Sequence, residues 1–140
     1  VHLKGEEKTL RIVDPTALPA SHKTLLFVTP DLKVSAEEAS AKVLQRLASR
    51  AFRRPATADE VKRLCDLAAE VRKEGGSFEE SMQVALQAIL VSPHFLFKVE
   101  QPGVPGPNGK RPPVTQYELA TRISYFLWSS MPDDELLLMA

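Results

Sequence analysis

The sequence predicts a mainly α-helical protein, a bundle of about five short helices with a short N-terminal β or extended segment. After residue 34, one helix start signal occurs four times, each time followed by apolar residues three and four positions apart. Before residue 35, the apolar residues come instead in short β-favouring runs separated by prolines. The change of period at residue 35 therefore divides the chain into two parts of different texture.

The start signal is the capping box, in which a serine or threonine and a glutamate three residues later each bind the backbone N–H of the other. It occurs at Ser35–Glu38, Thr57–Glu60, Ser77–Glu80 and Thr115–Glu118. With the apolar spacing and the Pro and Gly stops, it predicts helices over residues 36–52, 58–74, 78–91 and 116–129.

Further expectations concern individual helices and the segment at residues 94–97. The broad apolar arc of the third predicts the central position in the bundle. The fourth is expected to turn inward an apolar stripe formed by Leu119, Ala120, Ile123, Phe126 and Leu127. A fifth helix is expected to start with Pro132 at its first position, and His94–Phe97 is either a short helical turn or an extended plug.

The N-terminal runs Leu10–Val13 and Thr24–Thr29 are typical of two short strands. Because two strands alone are marginal in water, residues 1–34 either end a sheet that begins upstream or lie along the helical body. Five prolines and three glycines between Gln101 and Pro113 predict a loop. The expected organisation is thus 1–34 extended or β, 35–100 helical domain, 101–114 loop, and 115–140 the start of a second helical domain packed on the first.

Composition excludes several function classes. Eighteen basic and eighteen acidic side chains cancel, so the chain lacks the positive field of a sequence-independent nucleic-acid binder. The single cysteine, Cys65, forms no CxxC or CxxCH pattern, and its place on an apolar stripe predicts a small buried hydrophobe. No apolar run is long enough to span a membrane.

No pattern assigns a catalytic, cofactor-binding or metal residue, since the three histidines lack ligand spacing. The densest basic patch contains Arg50, Arg53 and Arg54, which invite a phosphate contact but also suit the C-terminal end of a helix. We favour the structural role, with ion pairs to Asp59 and Glu60. The candidate interaction or polar cluster consists of Arg50, Arg53, Arg54, His94, Tyr125, Trp128 and Asp133.

Three blocks resemble a known family: RAFRRP at residues 50–55, AILVSPHFLF at 88–97 and YELATRISYFLWSSMPDDEL at 117–136. They resemble the planctomycete large multidomain proteins built from domains of unknown function, often linked to c-type cytochrome domains. The resemblance covers about residues 36–140, as one complete helical domain and the opening of a second. It implies an exported bacterial parent, periplasmic or extracellular, in which any c-type haem lies outside these residues and sugar-binding-like modules flank them.

Two functions from different classes follow. The first is a non-catalytic helical scaffold or interaction module whose partners are other domains of the same parent chain and, through the parent, polysaccharide. The alternative is part of a haem-linked oxidoreductase acting on carbohydrate polymers, which requires Arg53, His94 and Asp133 to converge in one cleft. A third interpretation, a docking surface on Tyr125 and Trp128, requires the fourth helix to be incompletely covered.

Overall fold

The computed structural model describes residues 20–98, 100 and 113–140, and within these ranges the protein is mainly helical and contains no strand. The helices are α1 (Ala20–Leu25), α2 (Ala36–Phe52), α3 (Ala58–Lys73), α4 (Phe78–Leu90), α5 (Pro93–Leu96), α6 (Gln116–Trp128) and α7 (Asp134–Met139). The predicted fold class is confirmed in its main part, and the four long helices match their predicted ranges to within a residue at each end.

The predicted strand at Thr24–Thr29 is wrong. Residues 20–25 form α1, whose Thr24 hydroxyl donates to the carbonyl of Ala20, and the following residues are irregular. Leu26 and Val28 pack against the helical core, so the β-favouring run serves as an apolar cover for the bundle. The other predicted strand, Leu10–Val13, lies outside the described residues.

The structure shows capping at each predicted capping box. Complete capping boxes form at Thr57–Glu60, Ser77–Glu80 and Thr115–Glu118. At Ser35 only half of the box forms: the hydroxyl accepts from the amide of Glu38 at 3.1 Å, whereas the Glu38 carboxylate binds Lys42 at 2.8 Å. The fifth helix also starts differently from the prediction, because Asp133 is the N-cap of α7 and Pro132 lies buried before it.

The core lies where α2, α3 and α4 pack against one another, and α5 closes one end. Residues of α2 supply its largest share: Ala39, Val43, Leu44, Ala48 and Phe52. The other two helices contribute Val61, Ala68, Met82, Ala85 and Ile89. Leu47, Ala51 and Leu64 are only partly buried, and so is Cys65, which was predicted to be buried. Burial is the main cause that raises the pKa of the Cys65 thiol.

One buried polar contact joins all three of these helices. The Arg72 guanidinium of α3 donates to the hydroxyl of Ser40 on α2 and to that of Ser81 on α4, both at 3.2 Å. Both serines are completely buried, and each also donates to a carbonyl of its own helix. Buried polar groups need such partners, and among the described residues no buried side-chain polar atom lacks one.

The predicted inward stripe of the fourth helix is wrong in most of its members. Ala120 is buried, but Leu119 and Ile123 are about 40% exposed and Phe126 is 86% exposed. The side chains that α6 does bury are Ala120, Thr121 and Ser124, and its main helical neighbour is α7. Ser124 donates to the carbonyl of Ser130 at 2.7 Å, which fixes the turn between the two helices.

Together with α7, this helix leaves several large apolar side chains exposed to solvent. We call them together the α6–α7 apolar surface; they are Phe126, Leu127, Trp128, Leu138 and Met139, each more than half exposed. None of the described helices is both long and apolar enough to cross a bilayer.

Candidate polar site between the helical segments

The candidate site is a cavity of about 230 Å³ between the end of α2, the α5 region and the first turns of α6. Its lining comprises Phe52, Arg53, Arg54, His94, Lys98, Glu100, Thr115, Tyr117, Glu118, Thr121 and Arg122. It therefore contains three members of the predicted cluster, Arg53, Arg54 and His94, which the helices α2 and α5 bring together.

Arg53 is held in place by its backbone and its burial. It is the C-cap of α2, in the left-handed conformation with φ 59°, and only 6% of the residue is exposed. From this position Nη2 donates to the carbonyl oxygens of His94 (2.8 Å) and Phe97 (2.9 Å), and Nη1 donates to that of Phe95 (3.3 Å). One guanidinium thus satisfies the free carbonyls at the end of α5 and ties that short helix to α2.

Beside Arg53, Arg54 and Glu60 form a bidentate salt bridge. Arg54 Nη1 and Nη2 donate to the two carboxylate oxygens of Glu60 at 3.0 and 2.7 Å, which confirms the Glu60 part of the predicted ion pairs with Asp59 and Glu60. Glu60 also accepts from the backbone N–H of Thr57 at 2.8 Å. These donors, Arg54 first, lower the pKa of Glu60 to about 2.

His94 joins the same group of side chains. Its ring lies 5.3 Å from that of Phe52, and its Nε2 lies 3.5 Å from a Glu60 oxygen. Arg54 in turn lies over the Phe52 ring, 5.7 Å from the centroid. The aromatic ring of Phe52 therefore lies against both the Arg54 guanidinium and the His94 imidazole.

The other predicted cluster residues lie elsewhere. Arg50 donates to Asp134 at 2.5 Å on the surface, joining α2 to the start of α7. Asp133 caps α7 and lines a separate depression between α6 and α7 with Trp128. Tyr125 lies under the Lys98 ammonium, which is 3.6 Å from the ring centroid.

Sequence reasoning missed the residues that close the cavity from the α6 side. Arg122 Nε and Nη2 each donate to one oxygen of Glu100 at 2.6 Å, and Tyr117 lines the wall. No periodic signal marks these contacts, because Arg122 and Glu100 are separated by a stretch of irregular composition. Among the described residues no group of three or more histidine, cysteine, aspartate or glutamate side chains is placed to hold a metal ion.

Two family models match this chain. Residues 39–100 match "PSD5: Protein of unknown function (DUF1595)", and residues 114–140 match "PSD4: Protein of unknown function (DUF1592)". Hereafter these ranges are the PSD5 segment and the PSD4 segment. No curated protein and no solved structure matches the sequence significantly.

The matches support the part of the resemblance that concerns domains of unknown function. The PSD5 segment contains the Arg53 and Arg54 contacts, and the PSD4 segment contains Tyr117 and Arg122, so the cavity lies between the two matched segments. The division into two domains stays a prediction.

The Glu60 contacts predict a specific acid dependence of stability. The carboxylate has a pKa of about 2 in the folded protein against an ordinary value of 4.5. A carboxylate with a lowered pKa stabilises the fold above its ordinary pKa, and this stabilisation is lost as the pH falls from 4.5 through about 2. We expect Glu60→Gln to be less stable than the wild type at pH 6, with the difference shrinking towards pH 2.

Urea unfolding at several pH values between 2 and 6 measures this difference. The comparison with Glu60→Gln removes the contributions of Glu80 and Glu100, whose pKa values are also lowered by their hydrogen bonds. A wild-type advantage that stayed constant down to pH 2 would contradict the assignment.

Proposed function

We propose that this chain is a non-catalytic helical scaffold or interaction module that joins other domains of a larger exported bacterial protein. The observation that carries the proposal is the use of the polar side chains in the cavity. Arg53 binds three backbone carbonyls, and Arg54 and Glu60 bind each other and a helix cap. Groups engaged in this way hold the fold together and are poorly placed to transfer protons or electrons.

The α6–α7 apolar surface supports the interaction part of the proposal. Its five side chains include a phenylalanine and a tryptophan, which are common anchors of protein interfaces. Of these side chains, Trp128 and Met139 line the same depression between α6 and α7, and neighbouring exposed apolar side chains mark contact sites more often than scattered single ones do. The partner is a neighbouring domain of the same parent chain, and the location is periplasmic or extracellular.

The alternative is a part of a haem-linked oxidoreductase acting on carbohydrate polymers, with the haem in another domain of the parent. It receives less support, because it requires Arg53, His94 and Asp133 in one cleft. Arg53 and His94 share the cavity, but Asp133 lies in the separate depression beside Trp128.

Turnover assays distinguish the two functions. The purified chain is incubated with a polysaccharide or an alcohol and with oxidised cytochrome c as electron acceptor, with His94→Ala as the matched variant. We expect no reduction of the acceptor above the buffer rate with either protein. Reduction that requires the chain and is lost in His94→Ala would refute the scaffold proposal.

Hydrogen exchange tests the joining role directly. Peptides covering residues 119–139 are compared between the 140-residue chain and the longer parent protein, with peptides from α2 as the internal control. We expect slower exchange of 119–139 in the parent and unchanged exchange in α2. Equal exchange of 119–139 in both proteins would contradict docking of another domain on this surface.

A further inference from the structure

The cavity between the PSD5 and PSD4 segments is lined by two cations that have no carboxylate partner in the part of the chain that the structure describes. Arg53 is 6% exposed, yet within the described residues no aspartate or glutamate oxygen lies within 4 Å of it; its charge faces backbone carbonyls only. Lys98 likewise contacts an aromatic ring and no acid among the described residues. By contrast, Arg54 and Arg122, which also line the cavity, each form a salt bridge with a glutamate.

The charge count of the cavity agrees with this. Four cationic side chains line it, those of residues 53, 54, 98 and 122, against the two carboxylates Glu100 and Glu118, which gives +2 with His94 neutral. Glu60, which binds Arg54 from behind, reduces the sum to +1. Both lining carboxylates are engaged, Glu100 with Arg122 and Glu118 with the Thr115 amide. Of the two cations, Lys98 is exposed but Arg53 is buried, and a buried positive charge without a counter-ion is costly, so an anion in the cavity would be stabilising.

The segment that follows Glu100 in the sequence supplies no such anion. Residues 101–112 contain two cationic side chains, Lys110 and Arg111, and no aspartate or glutamate. A counter-ion for Arg53 and Lys98 therefore has to come from outside this part of the chain.

We propose that the cavity binds a small carboxylate, with Arg53 and Lys98 as its charge partners. The volume of about 230 Å³ corresponds to roughly eight water molecules at about 30 Å³ each, so it suits a ligand of up to about eight non-hydrogen atoms. The rings of Phe52 and Tyr117 provide apolar walls for a short carbon chain, and the partly buried Tyr117 hydroxyl, which has no hydrogen bond within the described residues, is available as a donor.

Titration of the full chain with sodium acetate and sodium succinate tests this site, followed by amide chemical shifts in NMR. Acetamide and sodium chloride at equal ionic strength are the matched probes without a carboxylate. We expect saturable shifts near His94, Tyr117 and Arg122 with both carboxylates and none with acetamide or chloride.

Variants connect the binding to the cavity. Lys98→Gln is expected to raise the dissociation constant for succinate roughly tenfold, since a charge-assisted contact is lost. Lys62→Gln is the matched control, because Lys62 is exposed and pairs with Asp66 on α3. Equal binding by Lys98→Gln and the wild type, or equal shifts with chloride, would overturn the proposal. Sodium phosphate is titrated in the same way. Tighter saturable binding of phosphate than of either carboxylate would also overturn the carboxylate proposal and assign the cavity to a different anion.

The inference is separate from the scaffold proposal. Carboxylate binding without turnover leaves the scaffold function intact, and an absence of binding leaves the exchange experiment on residues 119–139 unaffected.

Discussion

Leu44→Ala is expected to lower the free energy of unfolding by roughly 3–5 kcal/mol. Leu44 is completely buried in α2, at the centre of the contact between α2, α3 and α4. Removing its isobutyl group loses apolar burial and leaves a cavity that these helices cannot close without moving. Urea unfolding followed by circular dichroism at 222 nm measures the change.

Leu138→Ala is the matched control, because the same atoms are removed from a side chain that is 87% exposed. Its effect should stay within about 0.5 kcal/mol of the wild type. A loss for Leu138→Ala as large as that for Leu44→Ala would mean that the α6–α7 apolar surface is buried in the isolated chain, and would remove the main support for an interface there.

Arg53→Ala should be the most damaging replacement of a charged residue, with a loss of roughly 3 kcal/mol. Three carbonyls of the α5 region lose their donor, and hydrogen bonds from a charged donor contribute about 1.5–3 kcal/mol each without being additive. Thermal and urea unfolding measure the loss, and NMR of the α5 region should show it detached from α2.

Two further variants separate the loss of the carbonyl hydrogen bonds from backbone strain and from the loss of a positive charge. Arg53→Gly removes the same hydrogen bonds but suits the left-handed backbone at φ 59°, so it should be about 1 kcal/mol more stable than Arg53→Ala. Arg50→Ala removes an exposed ion pair and should cost at most about 1 kcal/mol. If Arg53→Ala were no worse than Arg50→Ala, the carbonyl contacts would not stabilise the fold.

The helical part of the fold was predictable because its signals are local. A capping box involves residues three apart, and Thr57, Ser77 and Thr115 each form the complete arrangement. The incomplete box at Ser35 shows the limit of such reasoning. The Glu38 carboxylate had a second partner, Lys42, one turn further along the same face.

Two of the wrong predictions have a common physical cause. The run at residues 24–29 and the apolar residues of α6 were assigned from side-chain character, but their structure depends on what lies next to them. Leu26 and Val28 cover a helical core, where no strand partner is present in the described residues. Phe126 and Leu127 point away from the α2–α4 core because α6 buries its small side chains Ala120 and Ser124 instead.

In the candidate site, only the contacts between residues close in the sequence were predictable. The contact between Arg54 and Glu60 spans six residues and follows from a helix end meeting the next helix start. The contacts of Arg53 with residues 94–97, and of Arg122 with Glu100, join distant positions and carry no periodicity in the sequence. His94 lies in the cavity with Arg53 and Arg54, but its contacts with Phe52 and Glu60 join distant positions and had no signal in the sequence.

The contact of Arg72 with Ser40 and Ser81 has a consequence for how the three helices align. Apolar stripes tolerate small slips, since one methyl group can replace another at similar energy. A slip of α3 by one residue would move the guanidinium about 1.5 Å along the axis and rotate it about 100°. The hydroxyls of the two buried serines would then lose their shared donor. Arg72 therefore selects one registry for three helices whose apolar faces alone would accept several.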